Sequence, residues 1–384
     1  MKNISKQIYL DIKKICKRKS HALHEPNFGR LDKKYLINCI NSTYVSTFGP
    51  YTNKLENSLS KFTKSKKAVA TINATSGLFL CLKSLGVNTS HEVLVPSLTF
   101  VGSVNAISYC GATPHFIDVS TKFNDIDYEE LDIYLKKIAI FKNNNLINKK
   151  TKKIIKCIIP VHLFGHPCDM DKCLQISKKY NMFVVEDCAE ALGSKYKGRH
   201  VGNFGNCGVV SFNGNKIITT GGGGMVISNS IKLSNKINHL ASVAKKSKNY
   251  EISHDDIGYN FKLPNLNSSL GLAQMKKLKV FINKKRKLFL KYSKVIQNNI
   301  YMDLMKEPKN CRSNYWLQTI ILKKKYQNKK NLILNFLNKK NISVRPVWQL
   351  IHSLKPYKLC PKMLLKNSNE AYKRIIHIPS GSQL

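Results

Sequence analysis

Ser211-Phe212-Asn213-Gly214-Asn215-Lys216 is the stretch that decides the fold of this chain, and the glycine-rich segment Thr219 to Gly224 follows it closely. The stretch begins at the end of an apolar run that predicts a buried strand. Upstream, another apolar run ends in two acids, Glu186-Asp187. Burying a lysine between strands costs free energy unless its charge is paired or hydrogen-bonded, so a lysine at this place is expected to have a partner. The pattern therefore predicts a cleft in which Lys216 and Asp187 act together.

Strand-like and helix-like segments alternate along the chain, which predicts an α/β fold built on a largely parallel sheet. The predicted strands are short apolar runs: Ala68–Ile72, Val93–Val95, His115–Val119, Ile154–Val161, Phe183–Glu186, Val209–Phe212 and Met225–Ile227. The predicted helices between them include Gly77–Leu85, Val101–Cys110 and Met170–Tyr180. The Lys- and Asn-rich segment Lys136 to Lys156 is expected to be a surface insertion without chemistry. Polar residues that follow the strands should share one cleft, because sites in such folds lie at the carboxyl ends of strands.

The length of 384 residues, of which 42% are hydrophobic, predicts one large and one small domain. We expect an N-terminal arm and the large domain over residues 1–262 and a smaller α+β domain over residues 263–384. The smaller domain should begin with a long helix from about Leu263 to Tyr292. Strands near Trp316–Leu322 and Ile342–Val347 should follow it.

The cysteines and the apolar segments indicate the compartment. The 11 cysteines are odd in number and scattered, so neither a disulfide framework nor a zinc site is expected, and a reducing compartment is favoured. Residues 1–19 are basic throughout and lack the apolar stretch of a signal peptide. No segment has the roughly 20 consecutive apolar residues of a membrane-spanning helix. The sequence predicts a cytoplasmic protein without a membrane span.

The net charge of +42 raises the possibility of a nucleic-acid partner, because polycations bind phosphates by releasing counterions. Arginine, the usual reader of bases, accounts for only 7 of the 64 basic residues. Lysines occur on nearly every surface-like stretch, which favours a solvated surface and no nucleic-acid partner. A positive exterior can still attract an anionic substrate.

Residues after the predicted strands indicate a cofactor. Lys216 could hold pyridoxal phosphate by a Schiff base while Asp187 keeps its ring nitrogen protonated. The segment Asn73-Ala74-Thr75-Ser76-Gly77 opens a helix whose free N–H groups could bind the phosphate, with a second hydroxyl from Ser211. Phe100 could stack on the ring. The alternatives are a helix cap for the segment at residues 73–77 and for Asp187, and a place in the core for Phe100.

Several motifs in the same order along the chain are more specific than any one of them. With them the chain resembles the DegT/DnrJ/EryC1/StrS family of pyridoxal-phosphate-dependent nucleotide-sugar aminotransferases over nearly its whole length. The motifs are Phe48-Gly49-Pro50-Tyr51, Ala74-Thr75, Pro96-Ser97-Leu98-Thr99-Phe100, Val161 to Pro167, Glu186 to Ala191, Ser211 to Lys216, and Gly258 to Pro264. The resemblance implies the type I aminotransferase fold, a large domain with a mostly parallel mixed sheet flanked by helices. It also implies a homodimer with shared active sites.

The resemblance also implies roles for individual residues. Lys216 and Asp187 are the expected catalytic residues, the first as the Schiff-base lysine and the second as the partner of the ring nitrogen. The other residues expected to contact the cofactor are Ala74, Thr75, Phe100, Glu190, Ser211 and Asn260. Among these, Glu190 would lie beside the hydroxyl edge of the ring, and Asn260 would reach the phosphate in the neighbouring subunit. Gly222 replaces a glutamate that many members carry.

One branch of the family has similar segments around residues 23–26, 312–316 and 345–348. It is similar to enzymes that add the 4-amino group to UDP-linked 2-acetamido-6-deoxy-4-keto sugars, with glutamate as the usual donor. The resemblance implies substrate contacts from Arg345, Trp348, Tyr315 and His166. Arg345 could instead form a structural ion pair, and both aromatic residues could be core residues.

Two other functions are compatible with parts of the sequence. A sugar 3-dehydratase of the same family would use the same cofactor but has histidine at the lysine position, so Lys216 disfavours it. A lysine-driven nucleic-acid binder would use charge clusters such as Lys149–Lys153 and Lys323–Lys325. It would leave the residues at the strand ends without a role.

Overall fold

The computed structural model describes residues 2–248 and 250–384. The helices within these ranges are α1 (Lys2–Lys13), α2 (Arg30–Asn41), α3 (Pro50–Thr63), α4 (Ala74–Ser84), α5 (Val101–Tyr109), α6 (Tyr128–Ile138), α7 (Met170–Lys179), α8 (Ile231–Ala241), α9 (Asn265–Ile296), α10 (Lys330–Lys339) and α11 (Lys366–Arg374). The strands of the first half are β1 (Lys67–Thr71), β2 (His91–Pro96), β3 (Thr113–Ile117), β4 (Ala139–Lys142), β5 (Asn145–Asn148), β6 (Ile154–Ile158), β7 (Phe183–Asp187), β8 (Lys195–Tyr196) and β9 (Arg199–His200). Those of the second half are β10 (Cys207–Ser211), β11 (Gly224–Ser228), β12 (Lys245–Lys248), β13 (Glu251–His254), β14 (Met302–Leu304), β15 (Cys311–Arg312), β16 (Gln318–Leu322), β17 (Arg345–Pro346) and β18 (Ile375–Ile378).

The main sheet has the order β1-β11-β10-β7-β6-β2-β3, and the hairpin β4–β5 joins it through β6. Strands β10, β7, β6, β2 and β3 pair in parallel, whereas β11 is antiparallel to both of its neighbours. Every residue of β2, β10 and β11 is buried, which is why their apolar residues stand in unbroken runs, such as Val93–Val95 in β2, rather than in alternation. The predicted α/β class with a mostly parallel mixed sheet is confirmed.

Because β11 is antiparallel on both sides, β1 runs in the same direction as β10 and β7. The carboxyl ends of β1, β2, β7 and β10 therefore lie at one edge of the sheet, and the loops that follow them meet there. This topology brings together four segments that are far apart in the sequence.

The segment expected to be a surface insertion forms the hairpin β4–β5, and its end is anchored in the interior. Asn148 is buried, and its side-chain amide donates to both oxygens of Glu92 at 3.2 and 3.0 Å. The Thr151 hydroxyl donates to the same carboxylate, and the His115 Nδ1 donates to it at 2.7 Å. Glu92 on β2 is itself fully buried. A buried carboxylate needs such donors, so Glu92 fixes the insertion against the sheet.

A second sheet with the order β14-β16-β18-β17 has its own apolar core. The long helix α9 contributes Leu288, Tyr292 and Ile296 to this core, and α1 contributes Ile4 and Ile8. The N-terminal helix thus packs against the C-terminal part of the chain. The predicted division at residue 262 stays a prediction. None of the helices in the described ranges is both long enough and apolar enough to span a membrane.

Replacing Glu92 would leave the buried donors on His115, Asn148 and Thr151 without their acceptor. We expect Glu92→Ala to lower the free energy of unfolding by about 3 to 5 kcal/mol at neutral pH, as measured by urea unfolding. Burial raises the pKa of Glu92, but the hydrogen bonds from His115, Thr151 and Asn148 outweigh burial and lower it.

Because the folded-state pKa of Glu92 is lowered, its contribution to stability is present above the unfolded value of 4.5. The contribution is lost as the pH falls through the folded-state pKa, so the difference between wild type and Glu92→Ala should shrink in acid. Glu130→Ala, which removes an exposed carboxylate, is the control and should leave stability near the wild-type value. Equal stability of the two variants would contradict the anchoring role of Glu92.

Candidate active site

A cavity of about 340 Å³ opens at the carboxyl ends of β1, β2, β7 and β10, a volume typical of small-molecule sites. Its walls are formed by the segments that follow these strands. The lining residues with polar or aromatic side chains are Asn73, Thr75, Thr99, Phe100, Ser103, Asp187, Glu190, Ser211, Asn213, Asn215, Lys216, Trp316 and Trp348. Eight of the predicted site residues therefore line one cavity: Ala74, Thr75, Phe100, Asp187, Glu190, Ser211, Lys216 and Trp348.

Lys216 lies between an acid and an aromatic ring. Its Nζ is 3.5 Å from the Glu190 Oε1 and 3.9 Å from the centroid of the Trp316 ring. The backbone N–H of Lys216 donates to the Asn213 carbonyl at 3.0 Å, which turns the chain after β10 back toward the cavity. The lysine side chain is only 13% exposed. Its amine is thus held at a defined place at the edge of the sheet.

The carboxylate of Asp187 is buried at the end of β7. The Ser103 hydroxyl, on α5, donates to its Oδ2 at 2.6 Å, and the Ala189 N–H donates to its Oδ1 at 3.0 Å. A carboxylate has about four acceptor positions, so each oxygen keeps one that can face the cavity. Asp187 can therefore accept a further hydrogen bond from a protonated ring nitrogen.

Glu190 is the acid nearest to Lys216. Its Oε2 accepts a hydrogen bond from the Phe164 N–H at 2.8 Å. The pKa of Glu190 is raised to about 7, mainly by burial and to a smaller extent by the charge of Asp187, while Lys216 and the Phe164 N–H oppose the rise. Glu190 therefore changes protonation near neutral pH, next to the amine of Lys216.

The N-terminus of α4 provides the anion-binding end of the cavity. Asn73 caps this helix, because its side chain accepts the Ser76 N–H at 2.8 Å. The first N–H groups of a helix have no partner within it, which leaves those of Ala74 and Thr75 for a ligand. A Cβ at Gly102 would lie 2.7 Å from the Thr75 Oγ1. Gly102 thus leaves room for that hydroxyl in the cavity.

Aromatic rings form one side of the cavity. Phe100, at the start of α5, is 55% exposed and lies edge-on to Trp348 with 6.3 Å between ring centroids. Trp348 in turn stacks on Phe164 at 5.7 Å. Phe100 therefore lies over the open cavity and not in the core, which leaves its ring face available for a flat ligand.

Four of the predicted residues are not among those that line the cavity. Tyr315 is buried and stacks on Phe289 at 4.1 Å, and His166 lies edge-on to Tyr315 at 5.2 Å. Burial lowers the pKa of His166 to about 4. Arg345 is exposed and donates to the Val344 carbonyl at 3.1 Å, and Asn260 is exposed. The substrate roles of these residues and the contact of Asn260 with a neighbouring subunit stay predictions.

Trp316 and Ser103 line the cavity but are not among the residues that the sequence predicts for the site. The segment at residues 312–316 is part of the resemblance, but the role that the resemblance implies there falls on Tyr315 and not on Trp316. Tyr315 has a φ of 50°, so the local backbone turns, and the two adjacent rings point to different sides. A sequence signal was present, because Trp316 opens the apolar run that becomes β16. Ser103 has no comparable signal.

The chain matches the model of the DegT/DnrJ/EryC1/StrS aminotransferase family over residues 27–384. The chain belongs to this family. It is 37% identical over 335 residues to GDP-perosamine synthase of Escherichia coli O157:H7, a match that covers 87% of this chain and 86% of the relative. It is 28% identical over 370 residues to the UDP-4-amino-4,6-dideoxy-N-acetyl-beta-L-altrosamine transaminase of Helicobacter pylori, with 95% and 94% covered.

Among solved structures, Helicobacter pylori PseC, an aminotransferase involved in the biosynthesis of pseudoaminic acid, has a TM-score of 0.86 to this chain. It is 28% identical, and the match covers 95% of both chains. The protein is thus an aminotransferase of nucleotide sugars that depends on pyridoxal phosphate, and the predicted fold, enzyme class and cofactor are confirmed.

The cavity fits this cofactor. It combines a helix N-terminus for a phosphate, a buried carboxylate for a ring nitrogen, an aromatic ring and a primary amine. The space left by Gly102 lies between the Thr75 hydroxyl and the Phe100 ring, where a Cβ would approach both within 3.3 Å. A flat phosphorylated heterocycle has the shape and charge that these groups accept.

The raised pKa of Glu190 predicts a distinct pH dependence of stability. A carboxyl whose folded-state pKa of about 7 exceeds its ordinary value of 4.5 favours the folded state only while it is protonated. We expect the free energy of unfolding of the cofactor-free wild type, relative to Glu190→Gln, to fall by up to about 3 kcal/mol between pH 4.5 and 7. Urea unfolding of both proteins across this range measures the difference.

Glu130→Gln, at an exposed position, is the control and should show a constant difference from wild type. Parallel stability curves for wild type and Glu190→Gln would contradict the assignment of the near-neutral titration to Glu190.

Proposed function

We propose that the protein transfers an amino group from glutamate to carbon 4 of a nucleotide-linked 4-keto-6-deoxy sugar. The observation that carries the proposal is that Lys216, Asp187 and Glu190 line one cavity, with the Lys216 amine 3.5 Å from the Glu190 carboxylate. An amine beside groups that can hold or release a proton is what transfer of nitrogen between two carbon atoms requires.

Bound pyridoxal phosphate supplies an aldehyde that combines with amines and a ring that accepts electrons from a carbanion. The Nζ of Lys216 would hold the cofactor covalently, and Asp187 would keep a proton on the ring nitrogen. The amine of Lys216 would take the proton from Cα of glutamate. In the second half of the reaction, it delivers a proton to carbon 4 of the sugar. The products are 2-oxoglutarate and the amino sugar.

The remaining residues bind and orient. The N–H groups of Ala74 and Thr75 and the hydroxyl of Ser211 are proposed to bind the phosphate, which the N-terminus of α4 favours. Phe100 is proposed to cover one face of the ring. Glu190, protonated below about pH 7, can then donate a hydrogen bond to the hydroxyl edge of the cofactor.

Two nucleotides are candidates for the substrate. Guanosine diphosphate is supported by the name of the Escherichia coli relative, GDP-perosamine synthase, at 37% identity. Uridine diphosphate linked to a 2-acetamido sugar is supported by the Helicobacter pylori relative at 28% identity. We propose the guanosine-linked sugar as the substrate because the relative that supports it is more similar in sequence to this chain, at 37% against 28% identity. The uridine-linked sugar is the second candidate.

The shared active site of a homodimer is part of the proposal. Phe48 is 75% exposed, and it lines a surface groove with Tyr44 and Lys262. Asn260 lies in the same stretch of chain as Lys262 and is exposed. An exposed aromatic residue in such a groove is typical of a surface that a second subunit covers.

The alternative functions have weaker support. The dehydratase reading requires a residue other than lysine at position 216. The nucleic-acid reading rests on a net charge of +42 that consists almost wholly of lysine, and it gives no role to the buried Asp187 and Glu190.

Lys216→Ala tests the covalent attachment. After borohydride reduction of the protein with pyridoxal phosphate, peptide mass spectrometry of the wild type should find the cofactor on Lys216. The variant should fold but carry no adduct in the active site and lose at least about a thousandfold in amino transfer, because anchor and proton carrier are lost together. Lys197→Ala, at an exposed turn, is the matched control. A variant with normal turnover would refute the role of Lys216.

The substrate is tested by offering a panel of nucleotide-linked 4-keto sugars to protein loaded with pyridoxamine phosphate. We expect the GDP-linked 4-keto-6-deoxyhexose to restore the pyridoxal absorbance most rapidly. Faster recovery with the UDP-linked 2-acetamido sugar would assign the second candidate. Recovery with none of the sugars would reject the proposed reaction.

A further inference from the structure

Trp316 makes two contacts in the cavity, one with Lys216 and one with the residue before it. Its ring lies under the Lys216 ammonium, 3.9 Å from the Nζ, and its indole N–H donates to the Asn215 carbonyl at 2.8 Å. The first contact acts on the lysine side chain and the second on the peptide that precedes it. Together they fix both ends of this side chain relative to the ring.

The backbone of Trp316 is held firmly enough to act as such a support. Its N–H donates to the Asn314 Oδ1 at 2.8 Å, and the Asn314 amide donates to the carbonyls of Glu190 and Leu192, both at 2.9 Å. The turn that carries Glu190 and the bend before β16 that carries Trp316 are therefore joined through one side chain. The acid and the ring on either side of Lys216 cannot move independently.

Lys285 on α9 holds the other side of the same residue. Its buried ammonium donates to the Trp316 carbonyl at 2.9 Å and to the Ser380 carbonyl at 2.6 Å. Among the described residues, both of its acceptors are backbone carbonyls rather than carboxylates. Burial lowers the pKa of Lys285 to about 7, and a buried polar group costs free energy unless it is well bonded, so Lys285 belongs to a network with a defined geometry.

Burial strengthens the contact between the Trp316 ring and the Lys216 amine. Trp316 is only 3% exposed, and an ammonium over a desolvated tryptophan face is bound more strongly than at an exposed site. Fixing a free lysine side chain in place costs rotamer entropy. The ring on one side and Glu190 on the other therefore order the amine before the ligand arrives.

The geometry points to Trp316 as the positioning residue that holds Lys216 ready for covalent attachment of pyridoxal phosphate. For attachment, the ammonium would lose a proton to the Glu190 carboxylate 3.5 Å away, and its nitrogen would then replace the aldehyde oxygen, which leaves as water. The inference rests on the proposed function, since it takes Lys216 as the attachment site. The Trp316 ring orders the amine, and the indole N–H orders the loop that carries it. Trp316 need not touch the sugar for this role.

Two substitutions separate the contributions of Trp316. Trp316→Phe keeps an aromatic face and removes the N–H, whereas Trp316→Leu removes both. The full-length proteins are stripped of cofactor and mixed with pyridoxal phosphate, and the rate of attachment is followed by visible absorbance and by borohydride trapping. Tyr372→Leu is the matched control, since it removes a ring that lies 4.5 Å from the Lys330 Nζ, in a pair on α11 and α10.

We expect Trp316→Leu to slow attachment by roughly three- to thirtyfold, because the lysine side chain regains rotamer freedom and its amine is no longer held in place. Trp316→Phe should slow it by about threefold through loss of the Asn215 hydrogen bond. Tyr372→Leu should attach the cofactor at the wild-type rate. Melting curves identify variants that have lost the fold.

Attachment at the wild-type rate in Trp316→Leu would overturn the inference. If Trp316→Leu does not fold, Trp316→Phe decides, and an unchanged rate in that folded variant would overturn it equally. A slow rate in the folded Phe variant supports it. Failure of the proposed function is distinguishable, because the wild type would then carry no adduct on Lys216 at all.

Discussion

The buried carboxylate of Asp187 is the constraint on which the cavity depends. Its backbone N–H donates to the Pro160 carbonyl at 2.9 Å, and its carbonyl accepts the His162 N–H at 3.0 Å. These bonds fix the end of β7 against the chain after β6. Because Ser103 on α5 bonds to the carboxylate itself, the helix that begins beside Phe100 is fixed to the same point. Displacing this one group would move the acid, the helix and the aromatic wall together.

The preceding residue, Glu186, supports β7 from the other side. Successive residues of a strand point to opposite faces, so Glu186 turns away from the cavity. Its carboxylate accepts the N–H groups of Gly202, Phe204 and Gly205 at 2.6 to 2.7 Å, and the His162 Nε2 at 3.2 Å. Glu186, His162 and Cys188 lie close enough to resemble a metal site, but the acceptors of Glu186 are engaged by these donors. Of the two adjacent acids, Glu186 fixes the loop that follows β9, and Asp187 lines the cavity.

The sequence predicted the parts of the site that depend on strand ends, because burial and turn residues mark these positions. Asp187, Ser211 and Lys216 were found in this way, and topology then brings them together. Asn314 and Lys285 could not be predicted, since their roles arise from bonds to backbone groups more than 30 residues away along the chain. The anchoring of the β4–β5 hairpin on Glu92 was missed for the same reason, because a polar, lysine-rich composition gives no sign of a buried partner.

The charge of the protein affects the approach of a substrate more than its selection. Seven of the 22 acidic residues are buried in the described structure, namely Asp11, Asp32, Glu92, Asp118, Glu186, Asp187 and Glu190. Of the basic residues described, only Lys285 and Lys330 are buried. The exterior is therefore strongly positive, and such a field accelerates the encounter with any anion. A field of this kind cannot distinguish one nucleotide from another, because their diphosphates carry the same charge. Discrimination must therefore come from short-range contacts at the mouth of the cavity, where Trp348 and Phe100 lie.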